Sequence, residues 1–233
     1  SRQVQPPHAP ATQDFEAAPT AMTPPQDLVI RCAGETVWLL PERALWWPAR
    51  RMLMVADAHF GKGATFRARG VPVPTGSTGQ AIARLDAMLA RLPVAQIAWL
   101  GDLLHAREAH AALDALVAWR ARHADVACTL VRGNHDRHAG DPPAGLHFNV
   151  VEEPWPIGPF ALCHEPQVVP DCYVIAGHVH PGVVISGRAK DRLRLPCFRF
   201  GPTSALLPAF GEFTGLWTAP PEPGEALFAI AND

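Results

Sequence analysis

Gly133-Asn134-His135-Asp136 follows an apolar, β-branched run, Val126 to Val131, and this junction decides the fold. The run reads as a buried strand. A glycine turn at its end, followed by Asn-His-Asp, places three polar side chains at one edge of a sheet. In open α/β sheets that edge, beyond the carboxyl ends of the strands, is where ligands collect. Three more apolar runs end in the same way. Met52 to Ala56 runs into Asp57-Ala58-His59, Ile97 to Leu100 into Gly101-Asp102, and Tyr173 to Ala176 into Gly177-His178-Val179-His180. A shorter case is Phe160 to Cys163 before His164.

Working outward, the middle of the chain alternates strand and helix. Between the Asp57 and Asp102 junctions, Ile82, Leu85, Met88, Leu89 and Leu92 fall at helical spacing, with Thr75 or Ser77 as the cap and Pro93 as the stop. The preceding stretch, Phe60 to Gly76, reads as a loop. A second helix is expected from about Ala109 to His123, with Leu113, Leu116, Val117 and Trp119 inward. Strand, helix, strand, helix, strand means two βαβ crossovers and a parallel sheet, an α/β fold. Short strands precede this unit at Leu28–Arg31, Thr36–Leu40 and Ala44–Trp47. From about Val150 onward short strands alternate with Pro and Gly turns and no long helix is evident. That predicts a second, mostly β sheet packed on the first. Residues 1–26 are rich in Pro and Ala and lack periodicity, as in a disordered tail. Residues 27–233 read as a single domain.

The 233 residues suffice for a full core, with 48% hydrophobic and 18% charged residues. Twenty Lys plus Arg against 22 Asp plus Glu leave a net charge of −2, so any nucleic-acid contact must come from a local basic patch. The five cysteines are scattered and form no C-x-x-C pair, which suits free buried thiols in a reducing compartment. No run approaches the roughly 18 apolar residues of a membrane span, and no signal-peptide pattern is evident. The expected location is cytoplasmic, with no membrane partner.

The junctions supply Asp57, His59, Asp102, Asn134, His164, His178 and His180. Carboxylate, imidazole and amide oxygen together suit Mn, Fe or Zn and make a poor thiolate site. Seven ligands exceed the needs of one ion, and a pair sharing an Asp fits better. Paired divalent ions activate a water and clamp the oxygens of an in-line phosphoryl displacement. Lys62, Arg67 and Arg69 on the first loop could position a phosphodiester, as could Arg132 and Arg137 beside the Asn-His-Asp turn. His105 could contact substrate or open the next helix. His110, His123, His138 and His147 read as surface residues. The seven tryptophans, Trp38, Trp46, Trp47, Trp99, Trp119, Trp155 and Trp217, read as packing rather than as base-stacking platforms.

Taken in order, Asp57-x-His59, Gly101-Asp102, Gly133-Asn134-His135-Asp136, His164 and Gly177-His178-x-His180 resemble the full signature of the calcineurin-like metallophosphoesterases. The resemblance implies a four-layer α/β/β/α sandwich with a dinuclear site. It implies that Asp57, His59, Asp102 and His180 hold one metal, and Asp102, Asn134, His164 and His178 the other. It implies hydrolysis by a metal-bridged hydroxide, with His135 assisting the leaving oxygen and Asp136 orienting His135. More closely, Asp57-Ala58-His59-Phe60-Gly61-Lys62, the Phe66-Arg67-x-x-Gly70-x-Pro72-x-Pro74 loop and the Leu207-Pro208-Ala209-Phe210-Gly211-x-Phe213-Thr214-Gly215 segment are similar to the bacterial ligase-associated DNA damage response endonucleases, the PdeM family. That likeness implies a manganese-dependent DNA nuclease acting in repair with an ATP-dependent DNA ligase and a helicase. Two other readings compete. One is a phosphoesterase or pyrophosphatase acting on a nucleotide-linked small molecule, against which stands the lack of an apolar helical insertion between Arg137 and Cys163. The other is a metal-bound, non-catalytic scaffold, against which stands the complete ligand set.

Overall fold

A computed structural model describes residues 27–72, 76–105, 110–187 and 192–231. The expected tail and Thr75 lie outside these residues, as does the side chain of His135. Strands β1 (Leu28–Cys32), β2 (Glu35–Leu40) and β3 (Ala44–Trp47) form an antiparallel meander. Strand β4 (Met52–Ala56) follows, then helices α1 (Lys62–Ala68) and α2 (Ser77–Arg91), strand β5 (Gln96–Leu100), helix α3 (His110–Arg122), strand β6 (Ala127–Val131), helix α4 (Asn134–Ala139) and strand β7 (Phe148–Val151). The remaining elements are strands: β8 (Trp155–Ile157), β9 (Phe160–Cys163), β10 (Tyr173–Ala176), β11 (Gly182–Ser186), β12 (Arg192–Phe200), β13 (Ser204–Leu206) and β14 (Ala226–Ala229).

Among the described residues these strands make two seven-stranded sheets. The first runs in sequence order, β1 to β7, with β4, β5, β6 and β7 parallel. The second runs β11-β12-β13-β10-β9-β8, with β14 also paired to β12. The α2 and α3 crossovers between parallel strands are those expected from the sequence.

Alternation along each strand sends its side chains into two different cores. On one face of the first sheet, Leu53, Val55, Ile97, Trp99 and Leu130 pack against Leu85 and Met88 of α2 and Leu116 and Trp119 of α3. On the other, Met52, Met54, Ala98, Leu100 and Val131 meet Phe160, Ile175, Phe198 and Phe200 of the second sheet. Helices, first sheet and second sheet are thus three successive layers. The outer helical layer of the four-layer sandwich has no counterpart among the described residues. That face holds a small cluster instead, Ala161, Cys163, Val174 and Ala176.

Three local expectations are corrected. The stretch Phe60 to Gly76 is not all loop, because Lys62–Ala68 forms α1 behind Gly61. Seven residues without apolar spacing gave no helical signal. Helix α2 has Gly76 as its N-cap, at φ 91°, and Ser77 is its first residue, with no side-chain cap. In α3, Val117 is exposed while Trp119 is buried. Positions two apart on a helix lie about 200° apart, so both cannot point inward. The indole of Trp119, edge-on to Trp99 at 6.2 Å, sets the rotation. Arg120 is buried too, and its guanidinium donates to the carbonyls of Leu146, His123 and Val126.

Candidate metal centre

The five junctions converge where the carboxyl ends of β4, β5 and β6 face those of β9 and β10. Asp57, His59, Asp102, His178 and His180 all have φ between 45° and 66°. Non-glycine residues rarely adopt this left-handed region, and each such residue costs about 1–3 kcal/mol. The backbone accepts that cost to turn each side chain back over the strand ends. The neighbouring glycines are there for space. A Cβ on Gly101, itself at φ 73°, would lie 2.0 Å from His164 Nδ1, and one on Gly177 would lie 2.6 Å from Asp57 Oδ2.

Two groups of side chains result, each with its ligand atoms within 4.8 Å of one another. Asp57, His59 and His180 form one; Asp102, His164 and His178 form the other. Asn134 joins the second, its Oδ1 2.8 Å from His164 Nε2. Asp102 faces both groups. Its Oδ2 lies 3.9 Å from His59 Nε2 and its Oδ1 3.6 Å from His164 Nε2. All seven sequence-predicted ligands are therefore in one place, contributed by both sheets.

The chemistry of these atoms fits cations. His164 Nδ1 lies 3.2 Å from the carbonyl of Leu100, where a ring N–H fits. In a neutral imidazole Nε2 then carries a lone pair. That nitrogen faces an amide oxygen, a carboxylate oxygen and, at 3.0 Å, the Nδ1 of His178. The Nε2 lone pair and the Asp102 and Asn134 oxygens are three acceptors brought close together, which favours a positive charge between them. Asp57 is fully buried; its Oδ2 accepts from the His178 amide at 2.7 Å, and its Oδ1 accepts no hydrogen bond among the described residues. A buried carboxylate oxygen left so is costly unless a cation satisfies it. These two groups could each hold a metal ion.

The supporting bonds identify residues that no motif singled out. Glu153 Oε2 accepts from the amides of His164, at 2.7 Å, and Glu165, at 2.9 Å, and so fixes the His164 turn. The 207–211 segment lies along the end of β4, with the Phe210 amide donating to Ala56 O and the Gly211 amide to Asp57 O. Arg84 of α2 donates to Phe210 O and to Glu212. Glu153 follows the end of β7 by two residues, as Asp102 follows β5, so an apolar run ending in acid was the signal for it, whereas Arg84 lies inside α2 and nothing in the local sequence marks it.

Asp136 spends its carboxylate on backbone. Oδ2 accepts from the amides of Asp102 and Gly133, both at 2.8 Å, and Oδ1 accepts from Leu103 at 3.1 Å. It ties the Asp102 loop to the Asn134 turn. Burial raises its pKa, against the pull of those three amides. The orienting role expected for it lies with a His135 side chain outside the described residues.

The candidate substrate residues fall into two sets. Lys62 opens α1 and is half-buried; burial lowers its pKa, while the fields of Asp102 and Asp57 raise it. Arg67 is on the same helix. His105 stacks its ring edge-on to His59, 6.1 Å between centroids, and to Phe66 at 6.2 Å. Lys62 and His105 thus lie beside the first group. Arg132 pairs with Asp141 and Glu152, and Arg137 with Glu152. All five cysteines are free thiols, four of them buried.

A crystal structure of the Pseudomonas putida nuclease MPE superposes on this chain with a TM-score of 0.78 and 47% sequence identity, over 88% of this chain and 96% of that one. A protein of unknown function from Aquifex aeolicus aligns at 20% identity over 55% of this chain and 78% of that one, with a TM-score of 0.39, a likeness too slight to inform the fold. No family model and no curated protein matches. At that identity and coverage the chain belongs, with the P. putida nuclease, to the ligase-associated endonuclease family of the calcineurin-like metallophosphoesterases.

Proposed function

We propose that the protein is a dinuclear, manganese-dependent phosphodiesterase that cuts DNA internally. The observation that carries this reading is Asp102, whose two oxygens face two separate Asp/His groups, beside a nuclease relative at 47% identity. Asp57, His59, Asp102 and His180 would hold one ion, and Asp102, Asn134, His164 and His178 the other. When bound, two such ions activate water and stabilise charge on the phosphoryl oxygens. The protein's own residues do the rest. Leu100 O fixes the His164 tautomer, Asp136 and Glu153 hold the ligand loops, and the backbone turns keep the ligands facing inward. Lys62, Arg67 and His105 would orient the diester beside the first group. His135 would give a proton to the leaving oxygen. By family resemblance the activity belongs to DNA repair, alongside an ATP-dependent ligase and a helicase.

The test is hydrolysis of bis(4-nitrophenyl) phosphate and of circular single-stranded DNA in Mn²⁺. Both substrates should be cut by the wild type, the circle showing internal cleavage. Asn134→Ala should lose both activities by about 10²-fold or more, as expected when a metal clamp worth several kcal/mol is weakened. His135→Ala should lose the DNA activity most, since a nitrophenolate leaves without a proton donor. Hydrolysis of the small diester with no cutting of DNA would redirect the reading to nucleotide-linked small molecules.

A further inference from the structure

Trp217 breaks the pattern of the other tryptophans. Trp46, Trp47, Trp99 and Trp119 are buried and Trp38 and Trp155 half-buried, whereas Trp217 is 44% exposed. Its backbone is fixed to the strand end that carries a candidate metal ligand. The Trp217 amide donates to His180 O at 3.0 Å, and its carbonyl accepts from the Gly182 amide at 2.8 Å. One face of its indole is braced by Arg199, whose guanidinium carbon lies 4.7 Å from the ring centroid. Arg199 is itself buried and held by Glu225, Ala219 O and Pro220 O. A rigid indole, supported on one side and open on the other, is what a stacking surface requires.

The ribbon next to it carries positive charge. β11 and the first half of β12 pair beyond the body of the second sheet, with Ser186 opposite Arg192 and Val184 opposite Arg194. Arg192 and Arg194 thus share one face and both are exposed. Among the described residues neither forms an ion pair, and the described part of the ribbon contains no acid. Elsewhere Arg43, Arg84, Arg91, Arg122, Arg132, Arg137 and Arg199 are ion-paired, while Arg31, Arg51 and Arg120 donate to neutral oxygens. Arg194 also donates to Leu216 O at 2.8 Å, which places its guanidinium one residue from Trp217. Only Pro181 separates His180 from the start of β11.

We propose that Trp217 is a stacking platform for an unpaired nucleobase beside the metal centre, with Arg194 and Arg192 neutralising phosphates of the same strand. The proposal rests on the nuclease reading above and adds to it the surface that grips the strand. Stacking of a base on an aromatic ring is sequence-tolerant, and arginines add salt-dependent affinity.

The test measures binding of a labelled single-stranded oligothymidylate by fluorescence anisotropy in Ca²⁺, and its cleavage in Mn²⁺ relative to bis(4-nitrophenyl) phosphate. Trp217→Ala should weaken binding about 10- to 100-fold and lower the cleavage ratio by a similar factor. Trp217→Phe should recover most of the loss, and Trp217→Leu, which keeps apolar area without a π-face, should not. Arg192→Ala and Arg194→Ala should each reduce the salt slope of binding by about 1. Thermal melts of each variant establish that it is folded. Wild-type binding by Trp217→Ala or Trp217→Leu would overturn the proposal. So would a Trp217→Ala variant that dissociates a dimer while binding DNA normally, which would assign this face to a second copy. A wild type that hydrolyses the small diester yet neither binds nor cuts any oligonucleotide would instead overturn the nuclease reading on which the platform rests.

Discussion

The two sheets contribute to one metal centre, yet their outer faces differ. The first sheet is covered by α2 and α3, and Trp99 and Trp119 meet edge to face under that cover. Among the described residues the second carries a cluster of four buried residues on its outer face, and at its β11–β12 end Ile185, Leu193 and Trp217 are exposed. Covering a sheet with helices stabilises it and holds its strand ends rigid. Leaving a face open keeps a surface for contact. The first sheet is thus scaffold on both faces, whereas the second leaves part of one face free for the contact proposed above.

The comparison can be broken by substitutions placed on either side of it. Trp119→Ala removes a fully buried indole from the covered face and should cost about 3–5 kcal/mol of stability. Leu193→Ser, on the open face, should change stability by less than about 0.5 kcal/mol. Denaturant unfolding of both variants checks the contrast, and equal losses would mean that the open face is packed in solution.

A smaller effect should come from Glu153→Ala. It leaves every candidate ligand in place but frees the His164 turn, and should lower Mn²⁺ affinity or activity about 10- to 100-fold. Mn²⁺ titration of the folded variant measures this. Unchanged metal affinity and activity would show that the turn holds itself.

The thiols should give the smallest effect. Burial pushes Cys32 and Cys163 up to about 12 and Cys197 up to about 11, and raises Cys128 as well. At pH 8 the folded protein should expose only Cys172 to a thiol reagent, and all five on denaturation. The folded values lie above the ordinary thiol value, so the unfolded chain ionises first as the pH rises. Stability should therefore decline above about pH 9, a trend read from denaturant midpoints across that range. Rapid modification of Cys197 in the native state would show that the second sheet opens readily.

Much of this architecture was legible in local pattern. Apolar runs ending in Gly, Asp, Asn or His located the strands that carry the seven candidate ligands, and the helices between them gave the parallel direction of β4, β5 and β6, because strand alternation and glycine turns act over a few residues; the parallel pairing of β9 with β10 had no such signal. Helices α2 and α3 were legible in their spacing, whereas α1 was too short to show any. The rotation of α3 is not encoded in its spacing, because Trp119, not the majority of apolar positions, decides which side faces Trp99. Nor does the sequence show that Trp217 is exposed, since a lone tryptophan carries no sign of whether a second layer will cover it.

The sequence by itself therefore determined which residues are candidate metal ligands and that they stand at strand ends. The division of those residues into two groups about Asp102, the fixing of His164 by Leu100 O, and the support from Glu153 and Arg84 were decided only in the tertiary structure. Each depends on atoms far apart in the chain that meet because two sheets pack face to face. No local spacing encodes that meeting. The exposure of Trp217 has the same origin, since burial is a property of what packs over a residue and not of the residue itself.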